Sequence, residues 1–61
     1  MYNNVEEIMV ETKKNEVTFE NEAGGMNLDI VEGKVVWIID GNKITMYPWD
    51  TIVELTFTRK L

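Results

Sequence analysis

The chain has 61 residues, with six Lys and Arg against eleven Asp and Glu, a formal net charge of −5, and no Cys, His or Ser. Those absences exclude disulfides, remove the usual ligands of a structural zinc, and leave no His general base and no Ser or Cys nucleophile. The acidity argues against non-specific affinity for nucleic acid or anionic membrane, and no apolar run approaches the roughly 20 residues of a membrane span.

A chain of this length makes one small domain, residues 1–61, burying only about 60% of its unfolded surface. Such scaffolds usually need a staple. Without disulfide or metal, what remains is a dense aromatic core or self-association.

Met1 to Asn4 is polar and is expected to fray. Val5 to Thr12 reads two ways. As a strand it puts Ile8, Val10 and Thr12 on one side and Glu7, Met9 and Glu11 on the other. As a short helix it has Asn4 as N-cap, Glu7 as capping-box partner and an apolar stripe of Val5, Ile8, Met9 and Thr12. The β-branched Val5, Ile8, Val10 and Thr12 weigh towards strand, and Lys13-Lys14-Asn15 then forms a hairpin loop. Glu16 to Glu20 alternates, with Val17 and Phe19 inward. Asn21 to Gly25 is a loop with two adjacent glycines. Met26 to Val31 alternates again, with Met26, Leu28 and Ile30 inward. A turn centred on Glu32-Gly33 would pair Ile30 with Val35, Leu28 with Trp37 and Met26 with Ile39.

Val35 to Ile39 is wholly apolar and largely β-branched, a strand by length and composition. Asp40-Gly41-Asn42 supplies residues that tolerate positive φ, as tight hairpins require. Centred on Asp40-Gly41 the turn pairs Trp37 with Ile44, and centred on Gly41-Asn42 it pairs Trp37 with Met46. Either way Val35, Trp37, Ile39, Ile44 and Met46 share one face, read here as the core face. Pro48 ends that strand, having no N–H for a ladder, and Trp49-Asp50 makes a short turn or one helical turn. Thr51 to Thr58 is the last strand, with Val53, Leu55 and Phe57 inward, and Arg59-Lys60-Leu61 is a short basic tail.

The fold expected is all-β, with the N-terminal segment as the one place for a short helix: an antiparallel meander of five or six strands curled into an open barrel. Its expected core is Val17, Phe19, Met26, Leu28, Ile30, Val35, Trp37, Ile39, Ile44, Met46, Val53, Leu55 and Phe57, joined by Ile8 and Val10 if the first segment is a strand. With that segment helical, the layout of helix plus five strands resembles the Sm-like domains. The hairpin Lys43 to Leu55 is similar to that family's closing hairpin, in pattern only. The resemblance implies a small RNA-binding barrel, although the characteristic glycine, Asn and basic positions of the RNA-binding motifs are missing.

Chemistry finds little support. Gly24-Gly25 lacks the Lys and Ser/Thr of a phosphate loop, and Asp40-Gly41-Asn42 lacks the downstream Glu of a calcium loop. Asp29 is the least implausible catalytic acid. No enzyme activity, cofactor or metal is expected. Tyr2, Tyr47 and Trp49 could stack bases, but the acidity and the few basic residues argue against nucleic acid as a partner.

The leading expectation rests on the middle strand being apolar on both sides, since such a strand is normally covered on both. Val36, Ile38 and Tyr47, with Val31 and Trp49 nearby, would form a second apolar face that docks a protein partner or another copy of the chain. The alternative is a small acidic inhibitor of a nucleic-acid-binding protein, of the kind mobile elements encode. It would use Glu7, Glu11, Glu16, Glu20 and Glu22 as a row of carboxylates imitating phosphates, against the plainer reading of a solvated surface. With no Cys, and no basic and apolar signal-peptide pattern at the N-terminus, a cytoplasmic location is expected.

Overall fold

Alternating polar and β-branched residues make strands wherever turn residues punctuate them. The computed structural model describes residues 1–22 and 24–59 and contains six strands: β1 (Val5–Thr12), β2 (Glu16–Glu20), β3 (Met26–Val31), β4 (Val35–Asp40), β5 (Lys43–Pro48) and β6 (Ile52–Arg59), with one 3₁₀ turn at Trp49–Thr51. All pairings are antiparallel, and the strands form two three-stranded sheets, ordered β2-β1-β6 and β3-β4-β5. The second sheet is a simple meander. β6 crosses back to pair with β1, and the two sheets bury a shared core. Ala23 in the glycine loop, and Lys60 and Leu61 of the expected basic tail, lie outside the described residues.

Val5–Thr12 is a strand, so the helical alternative and the Sm-like layout built on it both fall. The β1–β2 loop is organised by Thr12. Its hydroxyl accepts the N–H groups of Lys14 and Asn15 at 3.2 Å each and donates to the Asn15 side-chain oxygen at 3.0 Å. Two bulges adjust the faces. Val5 pairs with Arg59 and Glu7 with Thr58, leaving Glu6 as the extra residue. Val5 therefore turns inward although it stands three residues from Ile8, and both are fully buried. Across the sheet, Glu11 pairs with Glu54 and Thr12 with Ile52. Val53 is extruded and 58% exposed, while Ile52 takes the inward place expected of Val53.

The largest departure concerns β4 and β5. The β3–β4 connection has three loop residues, Glu32-Gly33-Lys34, because Val31 pairs with Val35. The Lys34 N–H closes the loop on the Val31 carbonyl at 2.9 Å, and Gly33 sits at φ +78°. The two-residue turn read from Glu32-Gly33 is one residue too short, and a one-residue change reverses every side chain of the strand. Ile30 consequently lies across from Val36, and Leu28 from Ile38. The core holds Val36 at 0% and Ile38 at 2% exposure.

At the next turn Gly41-Asn42 is the loop, with Gly41 at φ +62° in the first central position, where a type II′ hairpin needs it. Trp37 pairs with Met46, one of the two registers anticipated. Val35, Trp37, Ile39, Ile44 and Met46 do share a face, but it is the outer one. Ile44 is 61% and Met46 51% exposed.

The buried core is Val5, Ile8, Val10, Met26, Leu28, Val36 and Ile38, flanked by Phe19, Ile30, Tyr47, Ile52, Leu55 and Phe57. Ile8 stands between Phe19 on β2 and Phe57 on β6. The N-terminus is tied down rather than frayed. Tyr2 exchanges backbone hydrogen bonds with Leu28 at 2.7 and 2.9 Å, its ring lies 4.8 Å from that of Phe57, and the Arg59 guanidinium sits 5.8 Å from its centre.

Candidate functional site

Covering β4 on one side only leaves two outer faces of opposite character. On the β3-β4-β5 sheet, pairing aligns Val31 with Val35, Asp29 with Trp37, Trp37 with Met46 and Ile39 with both Asn27 and Ile44. Directly opposed residues of an antiparallel pair share a face. Val31, Val35, Trp37, Ile39, Ile44 and Met46 therefore form one contiguous apolar surface across strands about 4.8 Å apart. Asn27 and Asp29 border it on β3. Among the described residues Asp29 forms one ion pair, with the α-ammonium group of Met1 at 3.9 Å and partly exposed, a contact worth little in water.

Of the five residues expected to face a partner, Val36 and Ile38 are core and unavailable to one. Tyr47 is half-buried on the inward face, its ring edge-on to Phe19 at 6.3 Å. Val31 is on the exposed apolar face. Trp49 is on the 3₁₀ turn, where it lines a cavity of about 350 Å³ with Ile30, Ile52, Val53 and Leu55. Residue reading missed Val35, Trp37, Ile39, Ile44 and Met46 as surface. The length of the β3–β4 loop was the signal that distinguishes the two faces. Of the three rings considered as stacking platforms, Tyr47 turns inward and Tyr2 is committed to Phe57 and Arg59.

The other sheet presents the opposite chemistry. Glu7 pairs with Glu20, and Glu11 lies between Glu16 and Glu54. Met9, Thr18, Thr56 and Thr58 complete this face. Four of the five acids expected to act together are brought together, and Glu54 joins them. Glu22 lies past the end of β2, by a cavity of about 140 Å³ that Asp40, Lys43 and Thr45 also line. Among the described residues none of Glu7, Glu11, Glu16, Glu20 and Glu54 forms an ion pair, and like charges placed directly across a ladder destabilise it.

Among the described residues no group of three His, Cys, Asp or Glu side chains is arranged to hold a metal ion, and no helix is long and apolar enough to cross a membrane. In comparisons with known proteins the chain matches no family model, no curated protein and no solved structure.

Proposed function

We propose that this chain is a non-enzymatic protein-binding module that acts by self-association or by docking a protein partner through the outer face of the β3-β4-β5 sheet. The observation that carries the reading is that Val31, Ile44 and Met46 are exposed and Val35, Trp37 and Ile39 half-exposed on one side of a regular sheet. Contiguous apolar surface of this kind usually marks an interaction site, and Trp and Met are enriched at the centres of interfaces. The test compares wild type with Trp37→Glu by light scattering after size exclusion and by affinity purification from the native cell. Loss of self-association, or of a specific co-eluting protein, with an unchanged fold is expected. If both forms are monomeric and retain the same proteins, the reading fails.

A second reading is favoured by the opposite face: an acidic inhibitor that occupies a nucleic-acid-binding protein. Its support is the gathering of Glu7, Glu11, Glu16, Glu20 and Glu54 on one surface, with side chains along each strand repeating at about 6.6–6.8 Å. Reversing Glu16 and Glu20 to Lys should abolish binding to a basic partner, and the wild-type affinity should fall steeply with salt. Salt-insensitive binding would dispose of it.

A further inference from the structure

Resting on the protein-binding reading, the partner can be narrowed by asking which sheet edge is built to accept one. In the β4–β5 ladder the Trp49 N–H donates to the Lys34 carbonyl at 3.0 Å. Hydrogen-bonded and non-hydrogen-bonded pairs alternate along an antiparallel ladder. With the observed register, Val36–Tyr47, Ile38–Thr45 and Asp40–Lys43 are the bonded pairs, and Trp37–Met46 and Ile39–Ile44 are not. Ile44 and Met46 therefore turn their N–H and C=O groups to the outer side of β5. Among the described residues no strand pairs there.

The four sheet edges differ in how they are guarded. By the same alternation the β2 edge offers Glu16, Thr18 and Glu20, whose acidic side chains oppose pairing with another acidic chain. The β3 edge is occupied at Leu28 by Tyr2. The β6 edge borders the cavity beside Ile30 and the Tyr2–Phe57 stack. β5 offers edge groups on two residues whose side chains are both apolar and more than half exposed, Ile44 and Met46, with no acid between Lys43 and Pro48. Pro48 is tolerated there because its missing N–H falls on the outer side.

We infer that a second copy of this chain docks on β5, strand to strand and antiparallel, about a two-fold axis at Thr45. The register is self-complementary: Ile44 of each copy lies opposite Met46 of the other, so both N–H and both C=O groups of each residue pair find partners, four hydrogen bonds in all. Ile44 and Met46 side chains meet across the junction on the apolar face, and the two three-stranded sheets become one six-stranded sheet. A free edge is a template for such pairing. Charge permits it, because Lys43 is the only charged residue on β5. The contact is narrower than the roughly 800 Å² per partner of a standard interface, so the dimer forms and dissociates with concentration.

The test is amide hydrogen exchange by NMR on the full chain at low and high protein concentration, with light scattering in parallel. At high concentration the Ile44 and Met46 amides are expected to slow at least about tenfold, while Thr45 and Tyr47, bonded to β4 in either state, stay unchanged. Met46→Pro removes the outward donor and leaves the β4 ladder intact. It should raise the dimer dissociation constant about thirtyfold through two lost hydrogen bonds. Ile44→Lys, a charge on the same edge, should weaken it similarly if the proline variant folds poorly. A monomer with fast Ile44 and Met46 amides at every concentration overturns the inference and leaves a different protein as the partner of the face. A dimer that keeps those amides fast, and is lost only in Trp37→Glu, shows face-to-face packing and also overturns it.

Discussion

Ile38 and Ile44 are the same residue type, yet one lies in the core and the other is mostly solvated. Truncating a fully buried Ile removes transfer free energy and leaves a cavity. Ile38→Ala should cost about 2–5 kcal/mol, and Ile44→Ala about 0.5 kcal/mol or less in dilute solution. Urea unfolding of the two variants checks which side of β4 and β5 is inside, and equal costs would contradict the assignment. Glu11 offers a test of the acidic face. It lies directly between Glu16 and Glu54, so Glu11→Lys exchanges two like-charge pairs for two opposite ones. A gain of up to about 1 kcal/mol is expected at low salt, shrinking in 1 M salt as screening removes both effects.

At the scale of elements, loop length outweighs strand composition. Val35 to Ile39 is apolar at every position, so it carries no alternation from which to choose an inner face. The choice passes to the connection before it, and one added loop residue sends Val36 and Ile38 inward in place of Val35, Trp37 and Ile39. Gly33 makes the three-residue loop possible through its positive φ. An added Cβ would meet nothing within 4 Å, so Gly33→Ala is penalised by backbone conformation alone, about 1–2 kcal/mol, readable as a lower urea midpoint with an unchanged slope. The bulges at Glu6 and Val53 act in the same way on a smaller stretch, exchanging Val53 for Ile52 in the core and adding Val5 to it.

The whole molecule is two-sided, with an apolar outer face on one sheet and an acidic outer face on the other. Salt therefore separates the two functional readings by sign. Pairing of two copies brings together chains of net charge −5 each, and screening should tighten it, seen as a lower dissociation constant between about 0.05 and 0.5 M salt. Capture of a basic partner by the Glu face should weaken over the same range. Opposite responses of self-association and partner binding in one titration would show that both faces are used.

Composition and alternation alone determined the β class, the strands from β2 onward, the inward sets of β2 and β3, the outward places of Glu16 and Glu20, and the common face of β4 and β5 residues, and left Val5 to Thr12, with Glu7 and Glu11 on it, open between strand and short helix. These properties follow from side-chain period and turn chemistry, which are local. Only the tertiary structure decided which face of β4 is covered, that β6 pairs with β1, and that Tyr2 closes the N-terminus onto β3. The reason is that each depends on a parity or a long-range pairing that nearby residues leave open. A strand apolar on both sides fits equally well either way up until a second sheet is laid against it.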